Sequence, residues 1–289
     1  MKEGEPSATA RLIAAAMVAA PHRPETELVP GAAVEWSARL LSSRAQDRRL
    51  LRSVRSSLWR WLWRRIEGAT LPGVVRHWVV RKWWIERAWR ASVEEGFTQL
   101  VVLGAGLDTL GVRVAGEGAR VVELDHPATQ GLKRAGVGEA AGLTLIPCNL
   151  GAERITDALV PAGGPPVLDR ERPTVVVCEG VLMYLSDQEV RLLLAEVAGL
   201  PVPRLRLVIT QMDRSMGQPR FGGQRRVVTW WLRRRMEPFR SGATPSELRE
   251  LLEGLGFENV AVMDVATVDP EPARARLRGE LLAQADRRA

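Results

Sequence analysis

A chain of 289 residues with 46% hydrophobic and 26% charged side chains can bury a sizeable core, which excludes a disordered or collagen-like protein. No apolar run reaches the ~18 residues that a spanning helix needs, and the signal-peptide-like core from Leu12 to Ala20 lacks a net-basic leader, because Glu3 and Glu5 offset Lys2 and Arg11. The net charge of +7 is uneven: Trp36 to Arg90 carries fourteen Lys/Arg against three Asp/Glu, a pattern that suits nucleic acid, a membrane surface or an acidic ligand.

Thr9 to Ala20 reads as a short alanine-rich helix, and Pro21, Pro24 and Pro30-Gly31 break the chain after it. From Trp36 a long basic amphipathic helix is predicted. Leu40, Leu41, Leu50, Leu51, Val54, Leu58, Trp61 and Leu62 recur at three- and four-residue steps, with Arg44, Arg48, Arg52 and Arg55 opposite. Gly68 and Pro72-Gly73 end it, and a second helix follows from Val74 to Glu95. Seven of the ten tryptophans lie between Trp59 and Trp89, placed either to pack these helices on a sheet or to roof an aromatic substrate pocket. Basic helices bearing tryptophan can also rest on a membrane surface.

Beyond residue 98 the pattern is α/β. Strands are predicted at 99–103, 120–125, 143–147, 174–179 and 205–211, with helix-like or turn-rich segments between them and a loop from Pro161 to Pro166. Ser186 and Glu189 have capping-box spacing before a helix through Ala198, and Thr244 and Glu247 open another that ends at Gly254 or Gly256. Phe257 to Val262 is taken as the last strand, and the tail after Asp269 as a solvated helix or partly disordered. Cys148 and Cys178 sit in strand-like contexts, as buried free thiols of a reducing cytoplasm do.

The first predicted strand runs into Gly104-Ala105-Gly106-Leu107-Asp108-Thr109, a glycine turn where backbone can approach a ligand. Thr109 stands where a dinucleotide fingerprint needs its third glycine, so a nucleoside without phosphates fits better. Glu123 and Asp125 follow about 20 residues on, where a ribose-binding acid belongs. Two residues apart on one strand, they share a face, and Asp125, nearer the strand end, is the better placed.

Taken in order, Gly104 to Thr109, Glu123-Leu-Asp-His-Pro127 with Lys133, Cys148-Asn149-Leu150, Glu179 to Leu185, and Glu237-Pro-Phe239 resemble the leucine carboxyl methyltransferase family of S-adenosylmethionine (SAM) enzymes. That family includes bacterial polyketide carboxyl methyltransferases. The resemblance implies a class I SAM-methyltransferase (Rossmann-like) fold, a doubly wound, mostly parallel sheet with an antiparallel C-terminal strand, and the basic, tryptophan-rich span from Trp36 to Arg90 is expected to add an N-terminal helical lid. It divides the chain into a helical extension (1–73), a methyltransferase domain (74–268) and a tail (269–289). It implies SAM bound by Arg81, Gly104, Ala105, Gly106, Asp108, Glu123 or Asp125, Asn149, Leu150 and Glu179, with no metal. Arg81 would fork onto the methionine carboxylate, Asp125 would take the ribose hydroxyls, and Asn149 would accept the adenine amine. Leu110 replaces an arginine usual in the family, so any ion pair made there falls to Arg113 or goes unmade. Trp83-Trp84 replace a polar or acidic run, which suggests a more aromatic acceptor.

Methyl transfer from a sulfonium needs alignment and exclusion of water. A carboxylate acceptor needs no base, whereas a hydroxyl does, and histidines are scarce: His22, His77 and His126. Glu179 (a base if burial raised its pKa, or a neighbour of the SAM amino group) and Tyr184, which could orient the acceptor, are the candidate catalytic residues. The resulting expectation is a cytoplasmic O-methyltransferase of a small acceptor's carboxylate or hydroxyl. Alternatives are a protein C-terminal carboxyl methyltransferase, and a non-catalytic module of the same fold whose basic helix binds membrane or nucleic acid. No nucleic-acid-binding motif is recognised.

Overall fold

Gln99–Leu103 (β1) is apolar without alternation because both its faces are covered, and all five residues are buried. The computed structural model describes residues 7–23, 27–160, 167–235, 237–275 and 277–288, so the loop expected from Pro161 to Pro166 lies outside the described residues. Helices Ala8–Ala19 (α1), Gly31–Ser42 (α2), Ala45–Arg55 (α3), Ser57–Thr70 (α4) and Val74–Glu94 (α5) precede β1. After it come Leu110–Gly116 (α6), Arg120–Asp125 (β2), Pro127–Val137 (α7), Leu143–Pro147 (β3), Ile155–Leu159 (α8), Thr174–Cys178 (β4), Asp187–Ala198 (α9) and Arg204–Met212 (β5). Arg226–Arg234 (α10), Pro245–Gly254 (α11), Glu258–Asp264 (β6) and Glu280–Arg288 (β7) complete the chain.

The sheet order is β3-β2-β1-β4-β5-β7-β6, with β1 to β5 parallel and β7 antiparallel to both its neighbours. The order reverses between β1 and β4, the switch point at which such sheets bind ligands. One face packs against α8, α9 and α11 through Ile155, Leu193, Leu194 and Leu252. The other packs against α5 and α6 through Ile85, Trp89, Leu110 and Val114. Both expected capping boxes are present, at Ser186/Glu189 and Thr244/Glu247.

Two expectations are corrected. The long helix from Trp36 is three helices, broken where Arg44 and Ser56 adopt extended backbone. The serine hydroxyls just before the breaks bond backbone carbonyls, Ser43 to Leu40 and Ser53 to Leu50, and such bonds compete with continued helix. The breaks let α2 pack against α7 while α3 turns onto α1, burying Leu40, Leu41, Leu51 and Val54 with Leu107 and Leu132. The second correction is the tail. It is neither a solvated helix nor outside the core: β7 inserts between β5 and β6, and Leu281, Leu282, Ala283 and Ala285 are buried. The last strand in the chain is therefore β7, one beyond the expected one.

Candidate active site

A crevice of about 590 Å³ opens at the carboxyl ends of β1, β2 and β4. Gly104 (φ +69°) and Gly106 (φ +53°) take the left-handed conformation that the turn after β1 requires. A Cβ on Gly104 would collide with the Val181 side chain. The Gly104 N–H donates to the Leu124 carbonyl at 2.7 Å, and the Gly106 N–H donates to the Asp125 carboxylate, so the turn is strapped to the end of β2. Asp125 also accepts from the His126 N–H. Burial pushes its carboxyl upward, against those two N–H donors and Lys133. Asn149 and Leu150, after β3, form the next part of the wall.

Glu179 and Gly180 follow β4. Each Glu179 oxygen is held by a cation, Oε1 by Arg81 Nε at 2.8 Å and Oε2 by Lys82 Nζ at 3.1 Å. Lys82 also reaches Asp108 at 3.0 Å. Burial opposes the Asp108 charge, yet Lys82 and more distant Lys133 keep it well below the usual carboxylate range. Arg81 Nη1 meets both oxygens of Glu280 on β7, at 2.8 and 2.9 Å, and His77 Nε2 lies 2.6 Å from Glu280 Oε2. Burial alone would raise the Glu280 carboxyl, but Arg81 and His77 hold it down at about 2.

A second cavity, about 570 Å³ and largely apolar, lies among α1, α3, α4, α5 and α10. Trp63, Trp78, Met183, Phe221, Trp231 and Phe239 are among its walls. Thr9, Ile13, Arg81, Gly180 and Tyr184 line both spaces, so the apolar cavity meets the crevice there. Arg81 Nη2 makes no hydrogen bond among the described residues and lies 3.6 Å from where a Cβ on Gly180 would stand. Burial, reinforced by Glu237, pushes the Tyr184 pKa up. Glu237 accepts from the Ala8 and Thr9 N–H groups at 3.0 and 3.2 Å and from the Thr9 hydroxyl at 2.6 Å. It thereby fixes the N-terminus of α1 over the junction, where a helix favours a negative charge.

Arg81, Gly104, Ala105, Gly106, Asp108, Asp125, Asn149, Leu150, Glu179 and Tyr184 all line the crevice, but Glu123 does not. It is fully buried and paired with Lys133 at 2.5 Å. Burial raises its carboxyl, and Lys133 only opposes the shift. Glu123 is therefore a structural pair beneath the turn and leaves the ligand set. Arg81 is corrected in part. The fork expected for a ligand carboxylate is spent on Glu280 and Glu179, leaving Nη2 toward the cavities. Arg81 and Lys82 each hold one oxygen of Glu179, so a base role there would compete with two ion pairs. Arg113 forms a two-armed pair with Glu86 at 2.7 Å in each arm, so an ion pair does stand near Leu110. Of the histidines, His126 caps α7 and His77 serves Glu280. Lys82, Glu280 and Thr9 were missed. Lys82 adjoins Arg81, and the apolar run Leu281 to Ala283 was the signal for a strand carrying Glu280.

The tryptophans divide. Trp89 packs under the sheet, Trp63 and Trp78 line the apolar cavity, and Trp59 and Trp61 are exposed.

Residues 12–198 match the leucine carboxyl methyltransferase family. A Mycobacteroides abscessus protein named as a candidate S-adenosyl-L-methionine-dependent methyltransferase is 33% identical over 151 residues, 50% of this chain and 48% of that protein. A Streptomyces coelicolor protein of the same description is 29% identical over 178 residues, 58% of this chain and 53% of that one. The chain thus spans about half the length of the curated relatives it matches. Among solved structures, a candidate methyltransferase from Thermobifida fusca superposes with a TM-score of 0.60 at 18% identity, covering 87% of this chain and 94% of that one. A DUF574 family protein from Streptomyces avermitilis gives 0.58 at 18% identity, covering 87% and 97%. At that identity the likeness is one of fold, and the fold is the class I methyltransferase fold.

Proposed function

The chain belongs to the leucine carboxyl methyltransferase family, and on that premise we propose that it methylates a carboxylate of a small, largely apolar acceptor with SAM as donor. The observation that carries this reading is the junction itself, a polar crevice and an apolar, aromatic cavity meeting at Arg81 and Tyr184. The crevice falls within the ~300–1,000 Å³ typical of small-molecule sites. Its groups suit the donor: an acid at the end of β2 for a diol, the Asn149 amide for an adenine amine, Glu179 for an ammonium group, and Arg81 Nη2 for a carboxylate. When bound, SAM supplies an electrophilic methyl: the acceptor oxygen forms the new C–O bond as the C–S bond breaks, leaving S-adenosylhomocysteine and the ester.

The protein's part is placement. Rings such as Trp63, Trp78 and Trp231 fill around the acceptor and keep water out, and Arg81 and the rim residue Arg235 attract its charge. A carboxylate loses no proton on methylation, so no base is required. That agrees with a junction where Glu237 is committed to α1 and Tyr184 is held protonated. α1 supplies Thr9, Ile13 and Ala16 to the acceptor side, so the N-terminal helices act as a lid on the domain. Among the described residues no helix is long and apolar enough to cross a membrane. A cytoplasmic location belongs to the same proposal, supported by two free buried cysteines.

Calorimetric titration should show binding of SAM and of S-adenosylhomocysteine, and not of NAD. Turnover on aromatic and aliphatic carboxylic acids, followed by mass spectrometry before and after mild alkali, should give an alkali-labile product. An alkali-stable methyl product would move the assignment to a hydroxyl.

A further inference from the structure

Six of the nine exposed large hydrophobic side chains among the described residues lie on two helices: Leu58, Trp59, Trp61 and Ile66 on α4, and Val227 and Trp230 on α10. None of the α4 residues is buried, although Trp63, Ile66, Glu67 and Thr70 form one wall of the apolar cavity. Ile66 and Val227 are exposed and yet line that cavity, so its mouth lies between these two helices. The exposed charged positions around these rings are arginines. Arg65 stands over Trp61 at 5.5 Å and Arg234 over Trp230 at 5.6 Å, with Arg64, Arg226 and Arg233 exposed beside them. Glu67, the only acid on α4, is paired inward with Arg23 at 2.8 Å, and α10 has none.

We propose that α4 and α10 form a docking face for an anionic lipid bilayer, seated so that the apolar cavity opens toward the membrane. Tryptophan and arginine on short amphipathic helices is the chemistry of the headgroup boundary, where the ring enters the acyl edge and the guanidinium meets lipid phosphate. Charge complementarity selects the occupant. A second copy would set arginines against arginines, whereas anionic headgroups neutralise them. The arrangement gives lipophilic acids partitioned into the bilayer a path into the cavity without passing through water. The lipid contact stands independently of which atom is methylated, because association is read without turnover.

The full chain is mixed with vesicles of phosphatidylcholine alone and of equal parts phosphatidylcholine and phosphatidylglycerol, and co-sedimentation and tryptophan fluorescence are recorded. Binding to the anionic vesicles should exceed binding to the neutral ones at least tenfold and fall with added salt. Trp59→Ser, Trp61→Ser and Trp230→Ser combined should remove most of it while SAM affinity and melting temperature stay unchanged, since none of the three lines either cavity. Arg64→Gln, Arg65→Gln, Arg233→Gln and Arg234→Gln combined should weaken anionic binding and reduce its salt dependence. Failure to bind anionic vesicles would overturn the proposal. So would undiminished binding by the tryptophan variant, or a concentration-dependent dimer that the tryptophan variant abolishes.

Discussion

In the crevice, the polar side chains come from strand ends, the loops that follow them and α5, and neighbours already hold most of them. Asp125 is strapped to the glycine turn, Glu179 lies between Arg81 and Lys82, and Asp108 meets Lys82. In the apolar cavity most of the wall comes from five helices outside the sheet, and part-buried rings such as Trp63, Trp78 and Trp231 face its open space. The first is an electrostatic site fixed before any ligand arrives, as charge recognition requires. The second is a volume whose selectivity comes from shape and burial. On the proposed reading, one fold keeps its donor site while its acceptor space is rebuilt by changing helix surfaces that the sheet does not need.

The largest effect should come from the link between the two. Glu280→Gln leaves the buried Arg81 guanidinium and His77 without their shared countercharge, and loss of one partner of such a buried network costs about 3–5 kcal/mol. Denaturant unfolding should show it, and donor and acceptor binding should weaken together. The same carboxyl sets a pH dependence. Its folded pKa is held at about 2 against an ordinary 4.5, so its contribution is complete above 4.5 and lost progressively as pH falls from there toward 2. If Glu280→Gln unfolds with the acid dependence of the parent chain, the network is not what acid breaks.

Next in size, Asp125→Ala should weaken SAM and adenosine alike by at least tenfold, about 1.4 kcal/mol, through loss of charge-assisted bonds to the ribose. Binding of 1-naphthoic acid, a probe for the apolar cavity, should be unaltered. Equal losses for both ligands would join the two regions into one site.

Trp231→Ala makes the reverse cut. It should weaken 1-naphthoic acid severalfold, about 1 kcal/mol, because one ring no longer packs against the probe, and leave SAM affinity as it was. The smallest change is expected from Arg113→Met. That pair with Glu86 ties α6 to α5 behind the glycine turn, and its loss should lower stability by about 1 kcal/mol or less without altering either ligand's affinity.

The crevice was legible in the sequence for a local reason. Gly104, Gly106 and Asp125 lie within a single β-turn-α-β unit, where strand register alone brings residues about 20 apart into contact. The capping boxes, and the strands from β1 to β5, were legible in the same way, as short-range patterns. What no local pattern carries is the pairing of α5 with the far end of the chain. Arg76 bonds Asp269 at 2.7 Å, and His77 and Arg81 meet Glu280, across roughly two hundred residues. By its sequence neighbours alone, Arg81 is an unpaired fork and the tail faces solvent. Only the insertion of β7 between β5 and β6 puts a buried carboxylate beside that fork.

The tryptophans mark the same boundary. Their spacing announced helices and an aromatic surface, but helical period cannot say which ring meets the sheet, which meets a cavity and which meets solvent. That was decided by breaks at Arg44 and Ser56, which turned one apparent helix into three and set α4 apart from the core. Sequence determined the fold class, the turn and the acid that faces it, because each depends on neighbours in one supersecondary unit. Tertiary structure alone decided the apolar cavity and the partners of Arg81, because both depend on packing between segments whose separation no periodicity encodes.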